Sequence, residues 1–409
     1  MHKTTKVENG TIVSPKGFSA SVTKAGIKVS GNEDMALIYS EVLAVTSGAF
    51  TSNKFQAAPV IVSKNNLEKS FFSRAIIINS GNANACTGDE GVKNAEMSAN
   101  KVAKNLSIRQ EEVLIASTGI IGQQLDMHKI FKGIEDLTPA LSRKNGHHVA
   151  KAIMTTDTKP KETCYSFEVD GKLITIAGIA KGAGMIAPEL KTLHATMLSF
   201  ITTDADISPS YLRSLTNELV ELTFNRISID GDMSTNDSLF IMANGLAGND
   251  RFTGSNEGSL AFKETLYSVM KDLAEMMVLD GEGVTKFVKV CVNGALTYDD
   301  AKKCTLSIVN SLLCKTAWFG NDPNWGRIAC AVGYSGAQFD KDKVDIFFDN
   351  VQVVKSGCNA NADEDELLRV IREPSFEIHV NLNAGSHNYF MLTGDISYDY
   401  VKINADYHT

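Results

Sequence analysis

Thr196 stands where an apolar, β-branched run begins, Met197-Leu-Ser-Phe-Ile-Thr-Thr203, directly after a turn-prone stretch holding Gly182, Gly184 and Pro188. A hydroxyl residue opening a strand behind a flexible loop is where a self-processing nucleophile would sit. Were the chain to cut itself between Ala195 and Thr196, the new α-amine could act as base for the threonine's own hydroxyl. A plain loop entering a core strand has the same local pattern, so this stretch alone leaves both readings open.

Other residues carry potential chemistry. Ser117-Thr-Gly-Ile-Ile-Gly122 follows an apolar run, residues 113–116. Backbone N–H groups at such a glycine turn, with the Thr118 hydroxyl, could hold an anion or oxyanion; a tight turn is the simpler reading. The spacing is not that of a phosphate-binding loop, since no Lys-Ser or Lys-Thr follows. Glu282 lies between Gly281 and Gly283, a costly place for a carboxylate unless the position is used or simply turns. Asn79, Asn82 and Asn84 close another apolar run and suit either close ligand approach or a braced loop. Asp230, Asp232 and Asp237 lack the spacing and closing Glu of a calcium loop. His147 and His148 read as a polar helix exit and His379 as an exposed strand residue; a metal is not expected.

The elements that must position these residues are legible from periodicity. Residues 34–39 and 44–50 read as a pair of strands, within a segment (15–63) of short apolar runs and turn residues. Further strands are expected at 75–78, 113–116, 173–180, 197–203, 287–293, 344–348 and 376–382. Helices are expected over 90–106 (Val92, Met97, Val102 and Leu106 inward), 126–141, 208–224 (Ser208 as N-cap, then Pro209), 260–279, 299–316 and 363–372. Residues 152–158 form a hydroxyl-rich strand or loop, 321–327 a polar turn, and 403–409 a terminus that packs.

The chain has 409 residues, 43% hydrophobic and 22% charged, with a formal net charge of −8. That length suggests two domains. The acidic balance argues against a nucleic-acid or anionic-membrane surface. Without an apolar leader or a long apolar run, the chain reads as cytoplasmic. The seven cysteines are scattered and never in a Cys-x-x-Cys pair, which fits reduced core thiols.

In order along the chain, Ser80-Gly-Asn-Ala-Asn-Ala85, Ser117-Thr-Gly-Ile-Ile-Gly122, Met154-Thr-Thr-Asp-Thr158, Lys181-Gly-Ala-Gly-Met-Ile186, Ala195-Thr-Met-Leu198, Asp230-Gly-Asp-Met-Ser-Thr-Asn-Asp237, Gly281-Glu-Gly283 and Asn321-Asp-Pro-Asn-Trp-Gly-Arg327 form one series. In that series the chain resembles the ornithine acetyltransferase (glutamate N-acetyltransferase) family of arginine biosynthesis. The spacer Glu189-Leu-Lys-Thr-Leu-His194 is longer than in the usual family pattern.

The resemblance implies a fold of the α/β class. A layered α-β-β-α sandwich of the aminopeptidase/ornithine acetyltransferase type would carry a second, smaller α/β domain. The larger catalytic domain would span residues 1–287, the smaller 288–389, and residues 390–409 would return to the site. It further implies Thr196 as nucleophile, freed by self-cleavage after Ala195, and an oxyanion hole of the Thr118 hydroxyl and Gly119 N–H. Thr155 or Thr156, Lys181, Glu282, Asn404 and Thr409 would contact substrate, Lys181 meeting an α-carboxylate and Glu282 the ornithine amine. Acetyl would pass from N2-acetylornithine to glutamate by a ping-pong route without a cofactor, in an assembly with two copies of each fragment. Acetyl-CoA as a second donor stays open. A self-cleaving amidohydrolase or aminopeptidase, passing the acyl group to water, is the alternative.

Overall fold

The computed structural model describes residues 4–187, 189 and 197–406. Its strands are β1 (Thr5–Lys6), β2 (Phe18–Thr23), β3 (Met35–Phe50), β4 (Phe72–Asn82), β5 (Val113–Ile120), β6 (Lys161–Val169), β7 (Lys172–Lys181), β8 (Leu198–Thr203), β9 (Ile227–Ser228), β10 (Ser238–Ala243), β11 (Phe287–Ala295), β12 (Asp345–Phe348), β13 (Val351–Lys355), β14 (Cys358–Asn359), β15 (Ser375–Asn381) and β16 (His387–Gly394). Its helices are α1 (Ala58–Lys69), α2 (Gly88–Leu106), α3 (Met127–Leu137), α4 (Gly146–Ala152), α5 (Pro209–Leu222), α6 (Glu257–Leu279), α7 (Tyr298–Val309), α8 (Leu312–Phe319), α9 (Trp325–Gly333), α10 (Glu364–Arg372) and α11 (Tyr398–Asp406).

A nine-stranded sheet runs β1-β6-β7-β8-β10-β3-β4-β5, with β2 also on β3. β3 is the hinge of this sheet. Its second half pairs antiparallel with β10, its first half pairs with β2 and β4, and the register slips between Tyr39 and Ala44. Such an irregularity bends and twists a strand, and the two halves of the sheet fold face to face. Alternation along the strands then sorts the core. Ile76 and Ile78 of β4 meet Leu198 and Phe200 of β8 between the two β layers. Ala75 and Ile77 point outward to α2 and α3, while Ile201 and Ile241 point outward to α5 and α6. Helices, sheet, sheet and helices are therefore stacked as the layered α/β reading expects.

The second sheet, order β14-β13-β12-β15-β11-β16-β9, has seven strands and its own apolar core around Trp318, Phe348 and Phe376. β9 enters it beside β16 from the segment that follows α5.

Several expectations need correcting. Residues 34–39 and 44–50 are one strand, β3, and not a pair, because the intervening bulge looks like a turn in sequence. Residues 59–63 lie in helix α1, with Pro59 in its first turn, where the missing N–H costs nothing. α2 buries Ala95, Ala99, Val102 and Ala103, small residues that let it sit close between α1 and α3; Met97 is only half-buried. Residues 299–316 split into α7 and α8 at Ser311, whose hydroxyl caps α8 by accepting from Cys314 N at 3.3 Å. Leu312 and Leu313 are consequently exposed. The polar turn at 321–327 supplies Asn324, which caps α9. His147 and His148 sit inside α4, paired with Glu162 and Glu33. Residues 403–406 belong to α11, which has no buried residue. Of the cysteines, Cys86, Cys330 and Cys358 are exposed; all seven are unpaired. Among the described residues no helix is long and apolar enough to cross a membrane.

Candidate active site

A cavity of about 140 Å³ opens where β5 and β7 end and β8 begins in the bent sheet. Thr118, Gly119, Thr155, Thr156, Lys181, Glu282 and Asn404 all line it, brought together from five separate stretches of chain. Ala195, Thr196 and Thr409 lie outside the described residues. Met197 and Leu198, which follow Thr196 in sequence, line the same cavity.

Thr118 and Gly119 come from the end of β5. Gly119 has φ +131°, and a Cβ there would stand 2.3 Å from the Gly81 carbonyl carbon, so only glycine lets β4 and β5 approach this closely. The turn is bolted from behind. Asn236 Nδ2 donates to Ser117 O at 2.8 Å and to Ala83 O at 2.5 Å. Ser117 Oγ donates to Asn79 Oδ1 at 2.6 Å, and Asn79 Nδ2 to Asn82 O at 2.8 Å. Asn79, Asn82 and Asn84 thus brace the loop, and of that stretch only Ala83 reaches the cavity wall.

Lys181 is the last residue of β7, 9% exposed, and its Nζ donates to Thr118 Oγ1 at 3.1 Å. Burial pushes its ammonium below the usual lysine range, while Asp157, Asp237 and Glu282 favour the charged form. Past Lys181 the chain turns through Met185, φ +55°, and Asp230 holds the turn by accepting from Met185 N at 2.6 Å and Ile186 N at 2.9 Å. Burial raises the Asp230 carboxyl despite these bonds. Asp230 is therefore a brace, and Asp237 is a cavity residue.

Glu282 is 8% exposed. Its N–H donates to Ala183 O at 2.8 Å, and a side chain on Gly184 would meet its carboxylate at 2.5 Å. The absent Cβ at Gly184 is what lets the acid turn inward. Asn404 Nδ2, on α11, donates to Glu282 Oε2 at 2.8 Å. The C-terminal helix, though largely exposed, is thereby tied to the cavity.

Asp157, Asp280 and Asn236 hydrogen-bond to segments that line or back the cavity, and Lys161 to the two acids, without having been singled out from sequence. Asp157 and Asn236 fall inside motifs that were; Lys161, as a lone lysine before a strand, gives no local signal. Among the described residues the one three-ligand cluster with metal-like spacing is Cys291, Glu377 and His379, on the second sheet. Glu377 there is already bound by Lys289 and His379, each at 3.0 Å, and none of the three lines the cavity. His379 is half-buried against Glu377, not exposed as its strand phase suggested.

The ArgJ family matches residues 19–409. A curated relative from Geobacter sulfurreducens, an arginine biosynthesis bifunctional protein ArgJ, is 46% identical over 96% of this chain and 99% of its own length. The chain belongs to the ArgJ family. Membership places it among acyltransferase enzymes. A relative from Methanocaldococcus jannaschii, a glutamate N-acetyltransferase, is 46% identical over 99% of this chain and all of its own. Among solved structures, an ArgJ chain from Bacillus halodurans is 39% identical, covering 51% of this chain and 98% of its own, with a TM-score of 0.49. A Mycobacterium tuberculosis ornithine acetyltransferase chain, solved with ornithine, is 37% identical over 46% of this chain and 100% of its own, with a TM-score of 0.42.

Proposed function

We propose that the chain transfers acetyl from N2-acetylornithine to glutamate through an acetyl-threonine intermediate on Thr196, after cleavage between Ala195 and Thr196. The observation that carries this reading is one shared cavity. Thr118 and Gly119, the acids, Lys181 and Asn404 line it together with Met197, the residue next to Thr196. Acetyl-CoA as a second donor, and an assembly with two copies of each fragment, belong to the same proposal.

The chemistry follows from the groups present. The free α-amine of Thr196, with an ordinary pKa near ~7.7–8.0, takes the hydroxyl proton as the oxygen attacks the acetyl carbonyl. The Thr118 hydroxyl and Gly119 N–H receive the oxyanion, each such donor contributing on the order of 3 kcal/mol. The amide bond breaks, the proton passes to the departing amine, and ornithine leaves an acetyl ester on Thr196. The glutamate amine then attacks that ester, and N-acetylglutamate departs as the hydroxyl is restored. Two acids on the wall, Asp237 and Glu282, against one cation, Lys181, suit a substrate that carries a side-chain ammonium beside its α-carboxylate. Thr155 or Thr156 would add hydroxyl contacts.

The test is product analysis with N-acetylornithine, in the presence and absence of glutamate, and separately with acetyl-CoA plus glutamate. Ornithine release that stops near one equivalent per site without glutamate and turns over continuously with it supports transfer. Equal release without glutamate would assign the site to hydrolysis.

A further inference from the structure

We propose that Lys161 is a positioning residue of this cavity, its ammonium fixing three lining segments relative to one another through Asp157 and Asp280. The inference rests on the acetyl-transfer reading above.

Lys161 opens β6 and is 1% exposed. Its Nζ donates to Asp157 Oδ1 and to Asp280 Oδ2, each at 2.6 Å. Each carboxylate continues into a different part of the wall. Asp157 accepts from Thr155 N at 3.0 Å and from Gly182 N at 2.7 Å, holding the threonine loop against the residue after Lys181. Asp280 accepts from Thr158 N at 3.1 Å and Lys159 N at 3.3 Å, and from the Thr158 hydroxyl. Two residues on, Glu282 N returns to Ala183 O. The loop at 155–158, the strand end at 181–184 and the turn at 280–282 thus close a ring, and Lys161 sits at its centre without touching the cavity.

Electrostatics favour a structural device that acts on the site. Burial alone would raise the Asp157 carboxyl; Lys181, Lys161 and the Gly182 N–H together bring it down to about 2. Asp157 is therefore an anion throughout the working range, and it also helps keep the neighbouring Lys181 charged. Charged hydrogen bonds in a buried site are strong and directional, and a partner left alone there is heavily penalised.

Replacing Lys161 by Met keeps the stem and removes the charge. The two carboxylates then share a proton at low pH and repel once both ionise, so the three segments spread as pH rises. In Lys161→Met the specificity constant kcat/KM should fall roughly 100-fold or more near pH 8. Taken as a ratio to the parent enzyme at each pH, so that protonation of the Thr196 α-amine cancels, that loss should shrink at least 10-fold toward pH 6. A purely structural lysine gives a loss without that recovery. Because the single variant can fail to fold, Lys161→Met/Asp280→Asn relieves the repulsion. It should melt within a few degrees of the parent while kcat/KM stays at least 10-fold down. A folded double variant at parental kcat/KM overturns the proposal. So does a double variant that does not fold, since Lys161 would then hold the fold and not the site. An inactive parent enzyme would instead refute the acetyl-transfer reading.

Discussion

Lys181 Nζ donates to Thr118 Oγ1 across 3.1 Å inside the cavity wall. An ammonium has no lone pair to offer, so the Thr118 hydroxyl is the acceptor here and its own proton points elsewhere. The cation also polarises that hydroxyl, which sharpens it as a donor. In the proposed mechanism Lys181 would thereby prepare Thr118 for an oxyanion, in addition to meeting a substrate carboxylate.

Thr118→Val keeps the shape of the side chain and removes the donor. It should lower kcat for acetyl transfer by about 10²–10³ with little change in melting temperature. A folded variant with parental kcat would leave Thr118 as part of a turn only.

Cleavage between Ala195 and Thr196 predicts two associated fragments, residues 1–195 and 196–409. Intact-mass spectrometry of active protein reads this directly. Thr196→Ala should remain one chain and transfer no acetyl; a single uncut species in fully active parent protein refutes the nucleophile.

Asn404 reaches Glu282 at 2.8 Å from a helix with no buried residue, so its contribution is to the acid and not to the core. Asn404→Ala should raise KM for N-acetylornithine about 10-fold, the scale of one hydrogen bond to a charged group, with kcat largely kept. Deleting residues 407–409 should act in the same direction through Thr409. Cleavage should proceed normally in both, and steady-state kinetics on the cleaved proteins decides.

Lys315 offers a pH test outside the cavity. It is 1% exposed, and its ammonium donates to Gly394 O at 2.6 Å and to the Thr393 hydroxyl. Burial pushes it down to about 7, although Asp230 and Asp395 work to raise it. The unfolded chain keeps that proton to about pH 10. Below pH 7 both states hold the proton and this residue adds no slope. Between pH 7 and 10 the unfolded state binds more protons, so stability rises with pH, by roughly 1 kcal/mol per unit. Lys315→Met should flatten that rise in urea melts; an unchanged slope would assign it to other groups.

Much of the architecture is legible in the chain because burial imposes a period. β5, β7 and β8 lie where apolar runs end in glycine or hydroxyl residues, and α5 starts where Ser208 and Pro209 mark a cap. The Thr118–Gly119 turn and Glu282 stand out by residue type, the assignment of Lys181 and the Thr155–Thr156 pair came with the family motifs, and that of Asn404 with the family resemblance alone. Thr196 and Thr409 rest on sequence alone. Tertiary structure decided the rest. That β3 is one bent strand depends on pairing with β10 and β4, partners distant in the chain, so no local pattern separates its bulge from a turn. Lys161 and Asp280 are 119 positions apart, yet share a buried hydrogen bond. A lysine's ordinary place is in water, and only the folded packing that removes that water makes its charge a fixed point for the site.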